Sequence, residues 1–484
     1  MNSCTLSIKA TPKPFAWLKP VLLFLLTGLS ACATRSAPVR EYEWQFRYHA
    51  AQPNLTPPTL FFLVDGLSVS ALQTALKANR IPHLQAFFLQ NRLQLGRAVF
   101  PTLTYPNITS ILTTAPVNEH PIIGNKVLSE QNEVINFESI QRRGKLNEWI
   151  APRTVFTRLT RQRRTSVSLD HYFFAGATTR QHDDLQSGVA YVNGDYSYID
   201  SKAIDSLTGI VADVSAELLP SLLFIHLIGV DALSHEKGPD SPEVQAYLAK
   251  LDAALTPLFN RLIWLESAGT PFATLLTSDH GFMTADLHAD LEGWFRNNGD
   301  AAQVEILNQG RLASLYFPQH WSAKDRTAVL KSLALQPAVS MTLERSGNQI
   351  LLHSPRLNAT LQYHTANCGT AAYEISFKRE VGLRREASGT SQVRFCPDEW
   401  DRRQKDFARE LPPYFVSLLG SYFYSVKRPQ AIVLAADRTT FGGARGDHGG
   451  ITLEEQLVPV LHRNIRLQSE GPIPTWQLLR ILKL

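Results

Sequence analysis

Continuous apolar runs alternate with amphipathic stretches over the first half of the chain. Four runs are typical of buried strands, since they are rich in aliphatic, β-branched or aromatic residues: Thr59–Val64, Thr165–Leu169, Leu222–Val230 and Phe272–Thr277. Apolar positions spaced near 3.6 residues predict helices, among them Ser70–Ala78, Val155–Arg161 and Pro242–Leu262. This alternation predicts an α/β fold with a mostly parallel central sheet and helices on both faces.

The pattern changes between residues 284 and 427. Shorter segments predict strands at Ala313–Phe317, Val339–Leu343 and Gln349–Leu352, separated by turn residues. We interpret this region as an inserted α+β cap. Gln430–Ala435 then returns to the pattern of a core strand. The predicted core therefore has two parts, residues 57–283 and residues 428–484.

The N-terminus has the features of an export signal. Three lysines precede the apolar run Val21–Leu26, which is too short to span a bilayer, and Leu29-Ser30-Ala31-Cys32 follows. That tetrapeptide resembles a bacterial lipobox, so residues 1–31 are predicted as a lipoprotein signal peptide, Cys32 as the acylated residue and residues 32–56 as a tether. An ordinary cleaved signal with an incidental cysteine is the alternative. A lipid-anchored protein of the cell envelope is expected, on the outer membrane facing the periplasm because Ala33 follows the cysteine.

Composition supports a folded chain without a nucleic-acid partner. Apolar residues make up 44% of the 484 residues, which excludes a disordered chain. The formal net charge of +5 is small for this length, so no specific nucleic-acid binding is expected. Of four cysteines, only Cys368 and Cys396 lie beyond the export segment. In an exported chain they are candidates for a disulfide, and two free thiols are the alternative.

Several candidate metal ligands follow the apolar runs. In open parallel sheets, ligands bind just beyond the carboxyl ends of the strands. Each residue also has an ordinary explanation: helix capping for an Asp after a strand, a surface contact for an Asp–His pair four residues apart, or a flexible glycine-rich turn around a histidine. The candidates are Asp65, Asp231, His235, Asp279, His280 and His448.

Three Asp and three His together suit two metal ions better than one. Carboxylate and imidazole ligands favour Zn²⁺ and also accept Mn²⁺ or Fe²⁺. Two such ions about 3.5–4 Å apart stabilise both the attacking and the leaving oxygen in displacement at phosphorus. The residues therefore favour a site with two metal ions, zinc, manganese or iron, and chemistry at a phosphoester.

The segment FPTLTYPN offers a nucleophile for this chemistry. Pro106 favours the first turn of a helix predicted over Asn107–Thr113, so Thr104 is predicted just before the helix N-terminus. Free N–H groups and the helix dipole stabilise an anion at that position. Asn107 is predicted to donate from its amide to a phosphoryl oxygen. The alternatives are a helix-capping role for Thr104 and an ordinary first-turn position for Asn107.

Five motifs in order resemble the alkaline phosphatase superfamily, and within it the type I phosphodiesterases and nucleotide pyrophosphatases. They are FFLVDG, FPTLTYPN, GVDALSHEKGP, SDHGF and GDHGG, and they span residues 59–450. The resemblance implies one zinc held by Asp231, His235 and His448, and a second held by Asp65, Asp279, His280 and Thr104. It also implies that Thr104 attacks phosphorus to give a phospho-threonine intermediate, which water hydrolyses.

Some positions depart from this family pattern. Leu103 replaces the lysine that often precedes the nucleophile in nucleotide pyrophosphatases, which leaves nucleotide specificity open. The segment around Asp231 also resembles transferases of ethanolamine phosphate, so transfer to a lipid or glycan head group is an alternative to hydrolysis. A phosphomonoesterase and a non-catalytic envelope scaffold are further alternatives. The leading hypothesis is a metal-dependent phosphodiesterase or pyrophosphatase.

Overall fold

The structure is a computed structural model that describes residues 8–10, 57–88, 93–181, 185–213, 218–298, 303–355, 357–368, 371–380, 393–396, 399, 401–402, 411–423, 428–467, 469 and 471–484. Within these ranges, no helix has both the length and the apolar character needed to cross a bilayer. The described residues include only three residues of the predicted signal peptide. They include neither Cys32 nor any other residue of the tether at 32–56. Those three, Ile8–Ala10, form a short strand antiparallel to Leu287–Ala289.

Strands and helices alternate along the first half of the described chain, as predicted. In chain order the strands are β1 (Ile8–Ala10), β2 (Thr59–Val64), β3 (Gln94–Arg97), β4 (Lys126–Leu128), β5 (Val134–Asn136), β6 (Ser166–Leu169), β7 (Thr179–Arg180), β8 (Leu222–Leu227), β9 (Ala273–Thr277), β10 (Met283–Thr284), β11 (Leu287–Ala289), β12 (Glu305–Gln309), β13 (Leu312–Tyr316), β14 (Val339–Ser346), β15 (Gln349–His353), β16 (Asn358–Cys368), β17 (Ala371–Glu380), β18 (Val393–Phe395), β19 (Ala431–Ala435), β20 (Thr439–Thr440), β21 (Gly446–Asp447), β22 (Leu457–Arg463) and β23 (Ile473–Pro474). The helices are α1 (Val69–Lys77), α2 (Pro82–Phe88), α3 (Thr104–Thr113), α4 (Arg143–Ile150), α5 (Val155–Arg161), α6 (Leu185–Val192), α7 (Tyr196–Asp213), α8 (Gly229–Lys237), α9 (Pro242–Ser267), α10 (Leu291–Arg296), α11 (Ala323–Ala334), α12 (Phe415–Phe423), α13 (Leu453–Gln456) and α14 (Leu478–Ile481).

The central sheet has eight strands in the order β23-β3-β22-β9-β2-β8-β6-β7. Strand β2 lies at its centre and pairs in parallel with β8 on one side and β9 on the other. Strand β22 is antiparallel to both of its neighbours, so the sheet is mostly rather than wholly parallel. The predicted fold class is confirmed.

Both faces of this sheet are covered, which explains why its strands are continuously apolar. Side chains of β2 alternate between the two faces: Phe61 and Leu63 join one buried cluster, and Leu60 and Phe62 join another. The first cluster includes residues of α3, α4 and α5, and the second includes residues of α1, α2, α7 and α9. A polar residue can therefore reach solvent only where these strands end.

A second eight-stranded sheet, in the order β12-β13-β19-β14-β15-β16-β17-β18, lies largely in the region predicted as a cap. Its described pairings are antiparallel, and α11 packs against it. The strand predicted at Gln430–Ala435 exists as β19, but it pairs with β13 and β14 of this second sheet and not with the central one. A buried apolar run fits the middle of either sheet, so its residue pattern could not identify its partners. The exact division of the chain into core and cap stays a prediction.

Candidate metal centre and nucleophile

The carboxyl ends of three adjacent strands deliver five of the six candidate ligands to one place, and the sixth, His448, comes from the loop after β21. Asp65 follows β2, and Asp279 and His280 follow β9 after one serine. Strand β8 ends at Leu227, earlier than the predicted Val230, because α8 begins at Gly229. Asp231 and His235 therefore lie one helical turn apart on α8, as their spacing predicted.

Asp231, His235 and His448 form one group whose ligand atoms all lie within 4.8 Å of one another. Asp231 Oδ1 is 3.6 Å from His235 Nε2 and 3.7 Å from His448 Nε2. The two histidine Nε2 atoms are 3.1 Å apart. His235 is the most accessible member, with 33% of its side chain exposed, so this group faces the solvent side of the site.

Asp65, Asp279 and His280 form a second group that meets the same 4.8 Å limit and is buried. His280 Nε2 lies 3.5 Å from Asp65 Oδ1 and 3.2 Å from Asp279 Oδ2. The two groups adjoin, because the His280 ring stacks on the His448 ring with 3.6 Å between centroids. All six predicted ligands are therefore brought together in two neighbouring sets of three.

The three histidines present the same nitrogen to the site. His235 Nδ1 lies 3.0 Å from Gly446 O, His280 Nδ1 lies 3.2 Å from Gly281 O, and His448 Nδ1 lies 2.8 Å from Thr102 O. A carbonyl oxygen only accepts hydrogen bonds, so each Nδ1 carries the proton and donates. Each Nε2 then keeps its lone pair for a metal ion, which is the usual arrangement around a ligating histidine.

The carboxylates of both groups keep an oxygen without a hydrogen-bond partner. Asp65 Oδ1, Asp231 Oδ1 and Asp279 Oδ2 are buried and accept no hydrogen bond, although a buried carboxylate oxygen is normally satisfied. The other Asp279 oxygen accepts from Gly66 N–H at 3.2 Å. These orphaned oxygens, with three Nε2 lone pairs beside them, fit the donor set that zinc prefers.

Electrostatics point the same way. Burial raises the pKa of Asp65 well above its usual value, and the neighbouring Asp279 and Asp231 carboxylates raise it further. Burial also raises the pKa of Asp231 to about 6 and lowers the pKa of His280 to about 3. Buried carboxylates that repel one another are destabilised as anions, and a bound divalent cation relieves that cost.

Thr104 lies at the second group, with its Oγ1 3.1 Å from His280 Nε2. It is the first residue of α3 rather than the residue before the helix, and the cap position is Leu103, which makes no side-chain capping bond. The helix begins earlier than predicted because Pro106, in its first turn, needs no N–H donor there. Thr104 is partly exposed, whereas every following residue of α3 is buried.

Asn107 does not occupy the predicted position for donating to a substrate. It is completely buried, and its amide group is used by the preceding loop. Asn107 Oδ1 accepts from Val99 N–H at 2.7 Å, and Nδ2 donates to Leu103 O at 2.8 Å and Pro101 O at 3.0 Å. These bonds correct the prediction: Asn107 fixes the loop that leads into Thr104.

A different asparagine is hydrogen-bonded to the backbone next to Thr104. Asn125 Oδ1 accepts from the N–H of Tyr105, the residue after Thr104, at 3.2 Å, and its Nδ2 donates to Glu138 Oε1 at 3.1 Å. The amide has a second N–H bond available. Asn125 could not be predicted from the sequence. Its proximity to Thr104 depends on the path of the chain after α3, and no local residue pattern predicts that path.

The second sheet also supports the site, through the turn between β12 and β13. Gln309 Oε1 accepts from the N–H of Lys126, next to Asn125, at 2.8 Å. Arg311 N–H donates to His448 O at 2.8 Å, and its guanidinium forms a buried ion pair with Glu455 at 3.1 Å. The cap region thus fixes both Asn125 and the loop of His448.

Cys396 is part of a disulfide bond. The side chain of Cys368 lies outside the described part of the chain, so its pairing with Cys396 stays a prediction.

Comparisons with known proteins agree with this architecture. The family model described as type I phosphodiesterase / nucleotide pyrophosphatase matches residues 59–366, more than half of the chain. Ectonucleotide pyrophosphatase/phosphodiesterase family member 1 of Rattus norvegicus is 25% identical over 259 residues, which cover 52% of this chain and 26% of that protein. The chain thus spans only about a quarter of that relative's length.

Solved structures share the fold at low sequence identity. Phosphonoacetate hydrolase from Sinorhizobium meliloti 1021, in complex with phosphonoformate, gives a TM-score of 0.56 at 15% identity, covering 88% of this chain and 96% of the other. Human ectonucleotide pyrophosphatase/phosphodiesterase 5 has a TM-score of 0.55 at 13% identity, covering 88% of this chain and 93% of the other. An inactive form of the murine protein in complex with AMP has a TM-score of 0.54 at 13% identity, covering 88% of this chain and 95% of the other.

Proposed function

Because the chain belongs to the type I phosphodiesterase / nucleotide pyrophosphatase family of the alkaline phosphatase superfamily, we propose that it is a two-zinc phosphodiesterase that uses Thr104 as its nucleophile. One observation carries this proposal: Thr104 Oγ1 lies 3.1 Å from His280 Nε2, where the two groups of three ligands meet. The substrate class is a phosphoester. AMP bound to a structural relative makes a nucleotide one candidate.

Seven side chains would hold the two ions. Asp231, His235 and His448 would bind one, and Asp65, Asp279, His280 and the Thr104 oxygen would bind the other. When bound, the ions would lower the pKa of the Thr104 hydroxyl and offset the negative charge that develops on the phosphoryl group. Mn²⁺ and Fe²⁺ suit the same donors.

Thr104 is positioned to attack phosphorus. Its oxygen forms the new P–O bond while the bond to the leaving alcohol breaks, which gives a phospho-threonine. Water then cleaves that ester and restores the hydroxyl. The N-terminus of α3 favours the anionic group held there, and burial of the rest of the helix keeps Thr104 in place.

Asn125 takes the role predicted for Asn107. We assign its second N–H bond to a non-bridging phosphoryl oxygen, because the same amide is tied to the backbone next to Thr104. Glu138 holds the first N–H bond and so fixes the orientation of the amide. A donor fixed in this way stabilises charge that grows in the transition state.

Replacing either asparagine with alanine separates these roles. Asn125→Ala is expected to lower kcat about 10²–10³-fold, the range for loss of one donor to a developing oxyanion, with a smaller loss of Tm than in Asn107→Ala because one backbone N–H loses its partner. Asn107→Ala is the matched control: it leaves buried backbone groups unpaired, so it should lower Tm clearly. Steady-state kinetics and thermal unfolding of both variants provide the measurement. A wild-type kcat in Asn125→Ala contradicts the assignment.

Hydrolysis of bis-p-nitrophenyl phosphate, with metal analysis of the same sample, tests the proposed function. Turnover by protein that contains two equivalents of zinc supports a phosphodiesterase. Two equivalents of zinc without release of nitrophenol would contradict it and favour the transferase or the non-catalytic scaffold.

Anchoring to a membrane is a separate proposal based on the sequence around Cys32. Metabolic labelling with a palmitate analogue in a bacterial host is expected to label the wild-type protein and not Cys32→Ala. Unlabelled wild-type protein, or label that persists in the variant, would exclude lipidation at this cysteine.

A further inference from the structure

Three buried side chains form a hydrogen-bonded series that leads away from the candidate metal centre. His226 is on β8, and its Nε2 lies 2.8 Å from Asp65 Oδ2. Its Nδ1 lies 2.7 Å from Asp170 Oδ2. The side chains of Asp65, His226 and Asp170 are 6%, 7% and 0% exposed, so no solvent competes for these contacts.

The contacts fix the orientation of all three groups. With a metal ion bound to Asp65, both carboxylates would be ionised and would only accept hydrogen bonds, so both ring nitrogens of His226 would donate. Asp170 is itself held in place, because its Oδ1 accepts from the backbone N–H groups of Tyr172 and of Phe173, the latter at 2.9 Å. The ring therefore cannot rotate without breaking two charge-assisted bonds at once.

This hydrogen-bonded series gives the two oxygens of Asp65 different environments. His226 occupies Oδ2, and Oδ1 is left buried, without a hydrogen bond, on the side of His280. Outer partners that orient a ligating carboxylate in this way commonly contribute 10–100-fold to metal affinity. No role was predicted for His226 from the sequence, because it lies within an apolar strand.

We propose that His226 and Asp170 are positioning residues that turn Asp65 Oδ1 toward the metal ion of the buried group. This inference rests on the proposed two-zinc function. It concerns only the ion held by Asp65, Asp279 and His280, since neither residue contacts Asp231, His235 or His448 through a hydrogen bond or ion pair in the described part of the chain.

The test is zinc binding to the full chain, measured by competition with a chelator of known affinity. In His226→Leu, which removes both donors, one zinc equivalent should bind about 10–100-fold more weakly while the other keeps its wild-type affinity. His226→Gln keeps an amide donor for Asp65, so it should recover most of the lost affinity. Asp170→Ala should weaken the same equivalent as His226→Leu.

Asp252 provides a matched control, because its side chain pairs with residues of α2 and not with a candidate metal ligand. It is also buried and accepts two backbone N–H groups, from His83 and Leu84, and its Oδ2 lies 2.8 Å from His83 Nδ1. Asp252→Ala should therefore destabilise the metal-free protein without changing zinc affinity. Urea unfolding in the presence of a chelator measures that destabilisation for every variant.

The outcomes separate this inference from the proposed function. Wild-type protein that binds fewer than two zinc equivalents contradicts the proposed function. Wild-type protein that binds two, with His226→Leu and Asp170→Ala binding both equally well, overturns the positioning role alone. Zinc loss in Asp252→Ala as large as in Asp170→Ala also overturns it, because affinity would then follow stability. If His226→Leu does not fold, the choice between these outcomes follows from the zinc affinities of Asp170→Ala, His226→Gln and Asp252→Ala.

Discussion

Replacing Thr104 with alanine is expected to lower kcat toward a phosphodiester by about 10⁴-fold or more, which is the scale seen when the nucleophile of a covalent mechanism is removed. The residual rate reflects charge stabilisation by the remaining groups. The fold should survive, because Thr104 is partly exposed at the first position of α3 and forms no capping bond. Kinetics with bis-p-nitrophenyl phosphate, metal content and circular dichroism provide the measurement.

Thr104→Ser is the matched control for this experiment. A primary hydroxyl at the same position can also attack phosphorus, so part of the activity should remain. A serine variant as inactive as the alanine variant, or an alanine variant with wild-type turnover, would mean that the Thr104 hydroxyl does not attack phosphorus.

Asp279→Asn is expected to have the second large effect, on both metal content and activity. One Asp279 oxygen accepts from Gly66 N–H, and the other is buried, without a hydrogen bond, 3.2 Å from His280 Nε2. The amide that replaces it is neutral and a much poorer zinc ligand. We expect zinc affinity to fall by more than about 100-fold, the upper value for loss of an outer partner of a ligand.

Metal analysis and chelator competition measure this loss, and Asp252→Asn provides the control. Asp252 is a buried aspartate that accepts backbone N–H bonds from His83 and Leu84 of α2 and none from a candidate ligand, so its amide variant should keep both zinc equivalents. Wild-type zinc content and affinity in Asp279→Asn would remove Asp279 from the ligand set.

The central sheet could be predicted because its strands are buried on both faces. A strand such as β2 has no polar face, so its apolar run is continuous and ends where Asp65 reaches the sheet edge. The i,i+4 spacing of Asp231 and His235 likewise predicted their shared helix face. These features depend on local patterns, which a sequence displays directly.

Features that depend on distant contacts could not be predicted in the same way. Strand β19 has the residue pattern of a central strand, yet β13 and β14 are its partners. Asn107 and Asn125 are both asparagines close to the proposed nucleophile, and only their hydrogen bonds show which one is committed to the backbone. Neither case leaves a periodic signal, because the partner residues lie elsewhere in the chain.

The site as a whole combines both kinds of information. Strand ends and helix spacing deliver five ligands, while the position of His448, the turn at Arg311 and the contacts of His226 come from the assembled tertiary structure. The second sheet therefore contributes to the catalytic site through backbone positioning.

Anomalous diffraction at the zinc edge, from crystals grown with zinc, tests the two-metal centre most directly. We expect two peaks about 3.5–4 Å apart, one among Asp231, His235 and His448 and the other among Asp65, Asp279 and His280, the second within coordination distance of the Thr104 oxygen. A single peak, no peak, or peaks away from these side chains would contradict the two-metal centre.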